Sequence, residues 1–185
     1  MKFTERLKTG RKVFSFEFYP PKTAEDTAKL FNTALELKAL SPDFVSVTNS
    51  SSGVTPYRTV ALCGVLKAQF GLEVVAHLTC LAHTRGEIAE ICSGLKKMDI
   101  VNVLALRGDP HNVADGALRR DYSYAAQLTA DLVRDGGFDV GGACYPEKHP
   151  ESPSPEADIA RLKEKAEAGA GYLITQLFFD NDFYF

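Results

Sequence analysis

Six polar residues recur at nearly constant intervals along the chain. Glu17, Thr48, His77, Asp109, Tyr145 and Gln176 are separated by 31, 29, 32, 36 and 31 residues. Each lies late in, or just closes, a short run of β-branched and aromatic residues, and Arg107 and Gly108 immediately precede Asp109. Glu17 sits in "FSFEFYPPKT", enclosed by aromatic residues, and is a candidate proton donor for acid catalysis. One His, one Glu and one Asp, with no second histidine beside them, make a poor metal set. Cys80 and Cys144 lack a histidine partner by sequence, so no activated nucleophile is in view. An organic, phosphate-bearing cofactor fits better, held by Arg107, the backbone of Gly108, His77, and "YPEKHPES" with the helix start after Ser154. Singly, each residue also has a structural explanation. Glu17 reads as a paired carboxylate, His77 as a satisfied core histidine, Tyr145 as a ring capping the barrel, and Arg107 and Asp109 as a scaffold ion pair.

The spacing is that of one strand and one helix per unit. Strand-like runs cover 13–19, 44–48, 74–80, 101–109, 140–146 and 172–179. The segments between them carry helix boundaries. Thr23 is an N-cap candidate ahead of apolar residues at Ala28, Phe31, Leu35 and Ala39. Thr55 and Pro56 open the next helix and Gly71 stops it, and Thr84 with Glu87 has capping-box spacing. "YSYAAQLTADLVRDGG" ends on two glycines, and Ser154 and Pro155 start the last helix. Strict alternation demands parallel strands and right-handed crossovers, in an open doubly wound sheet or a (β/α)8 barrel. The first strand lacks a glycine-rich phosphate turn, which favours the α/β (β/α)8 TIM barrel. By period-2 alternation Phe14, Phe16 and Phe18 face the helices and Ser15 and Glu17 point into the barrel. All six polar positions then converge on the C-terminal mouth, where barrel chemistry resides.

The bulk composition excludes other classes. The 185 residues are 45% hydrophobic with net charge −3, and the 21 Lys and Arg are scattered among 24 Asp and Glu. No basic stripe exists for nucleic acid, so a small molecule is the expected partner. Cys63, Cys80, Cys92 and Cys144 sit alone in apolar stretches and are read as reduced and buried. The N-terminus has no apolar signal region, and no run approaches ~18 apolar residues, so a cytoplasmic protein without membrane contact is expected.

In combination, "FSFEFYPPKT", "VSVT", "HLTC", "LALRGDP", "YPEKHPE" and "ADIARLKEKAEAGAGYLITQLFF", in that order, resemble the methylenetetrahydrofolate reductase family over residues 13–185. The resemblance implies a noncovalent FAD reduced by NADH or NADPH. It then implies ping-pong reduction of 5,10-methylenetetrahydrofolate to 5-methyltetrahydrofolate, feeding methionine synthesis, in a homo-oligomer. Glu17 matches the general acid that protonates the folate nitrogen. Asp109 matches a carboxylate near flavin and pterin, and Gln176 a contact to folate and nicotinamide. Thr48, His77, Arg107, Gly108, Asp109, Tyr124, Ala125, Tyr145, His149, Asp158, Arg161 and Lys165 match positions lining FAD. Glu164 departs from the basic residue expected of a bacterial member, and "NSSSGVT" is less glycine-rich than the family loop. Family members continue through two further units, so residues 1–185 are expected to be a single catalytic barrel domain with about six units, unable to close alone. Two other readings stay open: a non-catalytic truncated fragment with residual FAD binding, and a metal-assisted barrel lyase or hydrolase on Glu17, His77 and Asp109.

Overall fold

The computed structural model describes residues 1–49, 56–113, 118 and 121–185. Among these, six strands alternate with helices: β1 (Ser15–Phe18), β2 (Phe44–Val47), β3 (Val74–Thr79), β4 (Asn102–Leu106), β5 (Asp139–Cys144) and β6 (Tyr172–Thr175). All neighbours pair in parallel, in the sequential order β1 to β6. Sequential parallel order is what one-directional crossovers produce when a sheet winds toward a barrel.

A short helix α1 (Phe3–Leu7), which the sequence pattern does not announce, precedes β1. The crossovers are α2 (Ala24–Lys38), α3 (Pro56–Ala68), α4 (Arg85–Lys97), α5 (Ala125–Asp135) and α6 (Pro155–Glu167). Their starts follow the expected caps. The Thr23 hydroxyl accepts from Asp26 N–H, Ser154 from Ala157 N–H, and Thr84 and Glu87 form a full capping box. Thr55, expected to cap α3, and most of the "NSSSGVT" segment lie outside the described residues.

Outward-facing strand residues pack on the helices. Phe18, Val45, Val47, Val74, Ala76, Leu78 and Val103 join Ala34, Leu66, Ile88, Leu95 and Leu128 in one apolar layer, with Phe16 packed against it. Phe14 lies outside that layer, 49% exposed, against the edge of the Phe16 ring. The inward stripe of α2 also differs from expectation. Leu30, Phe31, Ala34 and Leu37 face the core, whereas Leu35 is 58% exposed, because this helix carries apolar residues on several faces and 3–4 spacing selects no single one.

A second, smaller cluster fills the inner face: Phe3, Phe44, Val75, Leu104 and Tyr172. The Phe3 ring lies 4.5 Å from both Phe44 on β2 and Tyr172 on β6. In a flat sheet those strands stand about 19 Å apart, so the sheet is curled into an open half-barrel with Phe3 plugging its lower end. The first N–H groups of α1 are satisfied from the strand bases: Phe3 N–H donates to Asn102 Oδ1 at 2.8 Å and Thr4 N–H to Asp139 Oδ2 at 2.7 Å. Gly141 makes room for Tyr172, since a Cβ there would stand 2.2 Å from the ring.

Candidate active site

At the C-terminal ends of β2, β3 and β6 backbone hydrogen bonds run past the strand and fix the residues that follow. Thr48 N–H donates to Phe18 C=O, Leu81 N–H to Arg107 C=O and Gln176 N–H to Cys144 C=O, at 2.9, 3.0 and 2.7 Å. The positions found by spacing therefore share one rim. Arg107, Gly108 and Asp109 follow β4 rather than ending it, and Gln176 follows β6. The run 172–179 stops being a strand at Thr175.

Glu17, His77 and Ser46 form the inner group. Glu17 pairs with Ser46 in strand register and its carboxylate accepts from Ser46 Oγ at 3.1 Å. His77 Nε2 stands 3.5 Å from the same Oε2. The His77 side chain is 10% exposed and its Nε2 has no hydrogen-bond partner among the described residues. Burial pushes its proton affinity below the ordinary value, with the Glu17 charge acting in the opposite sense. The enclosure of Glu17 by aromatic residues, expected from sequence, is not found, for its side chain is 46% exposed on the rim. Neighbouring hydroxyls support the floor: Thr59 Oγ1 donates to Thr48 C=O at 3.0 Å and Asn49 Nδ2 to Thr79 Oγ1 at 3.2 Å.

The second group lies on the far side of the rim. Arg107 donates both terminal nitrogens to Glu151, at 2.8 and 2.7 Å, which holds the Glu151 carboxyl below its usual range. Arg107 takes Glu151 as its hydrogen-bonded partner, with the Asp109 charge acting on it as well, while Asp109 Oδ1 accepts from His111 N–H and starts a 3₁₀ turn. Gly108 has φ +90°, which favours glycine at this bend. Tyr145 meets His149 edge to face at 4.7 Å. His149 N–H donates to Asp158 Oδ2 and His149 Nδ1 accepts from Glu151 N–H, so the neutral ring carries its proton on Nε2. Burial, then Arg107, lowers the proton affinity of His149.

Lys165 is half-buried, donates to Ala143 C=O at 2.6 Å, and has its pKa lowered chiefly by burial. At the start of α5, Tyr124 holds the N-cap position ahead of buried Ala125, and its N–H donates to Gln127 Oε1 at 3.1 Å. The Arg161 guanidinium lies 4.2 Å above the Tyr124 ring and forks onto both oxygens of Glu164 at 3.0 and 2.9 Å. The structure brings together Glu17 with His77, Arg107 with Tyr145 and His149 through Glu151, and Tyr124 with Arg161. Gln176 is exposed at the edge of the sheet. Ser46 and Glu151 join the rim without belonging to the periodic set. For Ser46 the signal exists, since it shares the inward parity of Thr48 in "FVSVT".

Among the described residues no three His, Cys, Asp or Glu side chains gather as a metal site, and no helix is long and apolar enough to cross a membrane. The four cysteines are free, with the Cys63 and Cys80 thiols pushed up to about 12 by burial.

A family profile described as Methylenetetrahydrofolate reductase matches residues 2–185. The chain belongs to the methylenetetrahydrofolate reductase family. It is 41% identical over 170 residues to a 5,10-methylenetetrahydrofolate reductase of Salmonella typhimurium, covering 92% of this chain and 56% of the relative. It is 39% identical over 175 residues to the same-named protein of Pectobacterium carotovorum, covering 95% and 57%. A probable methylenetetrahydrofolate reductase (NADH) of Oryza sativa is 36% identical over 198 residues, covering 99% and 33%. The chain thus spans little more than half the length of the bacterial relatives it matches. Among solved structures, 2,3-dimethylmalate lyase, a PEP mutase/isocitrate lyase superfamily member, superposes with TM-score 0.65 at 10% identity, covering 99% of this chain and 64% of that one. At that identity the likeness concerns the fold alone.

Proposed function

We propose that this chain carries the rim of a flavin-dependent reductase that converts 5,10-methylenetetrahydrofolate to 5-methyltetrahydrofolate with NAD(P)H. The observation that carries the reading is the Glu17, Ser46 and His77 cluster at the strand ends, in a chain whose relatives are named for that activity. The Oryza relative's name favours NADH as donor.

The residues present suit FAD. His77 offers a buried, unpartnered ring nitrogen at the rim, and Arg107, Lys165 and Arg161 are the cations that would hold its diphosphate. Thr48, Gly108, Asp109, Tyr124, Ala125, Tyr145, His149 and Asp158 complete the proposed lining. When bound, FAD supplies two-electron transfer between nicotinamide and folate. Glu17 delivers a proton to the folate ring nitrogen, opening the five-membered ring so that the methylene carbon becomes an electrophile. Asp109 steadies the resulting positive charge and Gln176 orients the pterin. Arg107 must exchange Glu151 for the anionic ligand, and Arg161 reaches it only from its fork on Glu164.

Purified protein should bind FAD and display flavin absorbance that NADH bleaches and 5,10-methylenetetrahydrofolate restores. Protein that remains colourless with added FAD contradicts the proposal.

A further inference from the structure

Glu17 is poorly held by packing. Its side chain is nearly half exposed, and its carboxylate has three rotatable bonds between itself and the strand. What fixes it is polar contact at a single atom. Ser46 Oγ donates to Oε2 at 3.1 Å, and His77 Nε2 approaches the same Oε2 at 3.5 Å. Ser46 is itself 6% exposed, on the strand neighbouring β1, and the parallel register places it beside Glu17. A buried hydroxyl in that position has a fixed backbone beneath it and one charged acceptor in front of it, and hydrogen bonds to charged groups are among the stronger ones.

We infer that Ser46 is a positioning residue for the carboxyl group of Glu17: it engages Oε2, turns Oε1 toward the open mouth, and so selects Oε1 as the atom that carries the proton to substrate. The inference rests on the proton-delivering role proposed for Glu17. His77 cannot substitute for the serine, because at 3.5 Å its nitrogen makes no hydrogen bond to the carboxylate. Without Ser46 the carboxyl keeps only the longer His77 contact and spends less time with its proton aimed at a bound pterin.

The test compares Ser46→Ala, Ser46→Thr and Glu17→Gln in the FAD-loaded protein, following flavin reduction by NADH and folate reduction separately. Ser46→Ala should slow folate reduction about tenfold in kcat, with KM changed less than twofold and flavin reduction unchanged. Ser46→Thr, which keeps the hydroxyl, should recover most of the loss. An independent reading comes from isotope-edited infrared spectra of the Glu17 carboxylate in protein without folate, where Ser46→Ala should move the carboxylate stretch and Ser46→Thr should not. An unmoved band together with an unchanged folate rate overturns the inference, as does equal loss in both half-reactions. If Glu17→Gln keeps folate reduction, the role of Glu17 itself is what fails.

Discussion

Replacing Gly141 with alanine tests the geometry that shapes the barrel interior beneath the rim. Gly141 has no positive φ, so its cost is steric rather than conformational. The added Cβ would stand 2.2, 2.4 and 2.8 Å from three carbons of the Tyr172 ring, inside van der Waals contact. Tyr172 is 5% exposed, packs edge-on against Phe3, and sits with Phe44, Val75 and Leu104. Either the ring stays and the strands shift, costing ~1–3 kcal/mol, or it leaves, forfeiting ~1.5–3 kcal/mol of burial and ~0.5–1.5 kcal/mol of ring pairing. The cheaper route sets the cost, so the expected loss is about 1–3 kcal/mol, read as a lower urea midpoint at unchanged slope. Gly142→Ala is the control. Its Cβ would meet side-chain atoms at 3.5 Å, ordinary contact, and should change stability by less than ~0.5 kcal/mol. In a Tyr172→Leu background the cost of Gly141→Ala should fall below ~1 kcal/mol, giving a clear coupling energy. Equal effects at 141 and 142, or an undiminished cost without the ring, would refute the reasoning.

Acidification and one charge substitution give two further outcomes. Because burial depresses the proton affinity of folded His77 below 6.5, the unfolded chain binds more protons between that value and the lower folded one. Stability therefore declines as pH falls below about 6.5, by at most ~1.4 kcal/mol per pH unit from this residue. Thermal melts at pH 7 and pH 5 should show a drop that His77→Gln lessens, while His149, also depressed, keeps part of it. Glu151→Gln should tighten FAD binding by up to about fivefold in fluorescence titration, since it weakens a competitor for the Arg107 fork, a partly exposed ion pair worth ~1 kcal/mol or less. Weaker FAD binding in that variant would show instead that Glu151 orients Arg107 for the ligand.

The alternation of apolar runs with capped helical segments carried the strand order, because parallel β/α units impose both a period and a handedness. Strand ends were overread at β4 and β6, where "RGD" and "QLFF" continue the run while the ladder gives way to rim loops. Helix α1 leaves no signal in the sequence because five residues hold no period, and its anchors are Asn102 and Asp139, 99 and 135 residues away. The α2 stripe was misplaced for the opposite reason, an excess of apolar residues around the helix. At the rim, spacing found Glu17 and His77 but not Ser46 or Glu151. Short polar residues beside a strand end look alike in sequence until register and loop closure choose among them. Glu164, anomalous by resemblance, has a local role as the partner of Arg161.

In the proposed reaction Glu17 supplies a proton to the folate and takes no part in oxidising the nicotinamide. Glu17→Gln keeps the shape and most of the hydrogen-bonding capacity of the side chain but removes the acid. In the FAD-loaded protein, stopped-flow flavin reduction by NADH should stay within about twofold of wild type, and reoxidation by 5,10-methylenetetrahydrofolate should slow by ~100-fold or more. Equal slowing of both half-reactions would instead assign Glu17 to cofactor binding or to the scaffold.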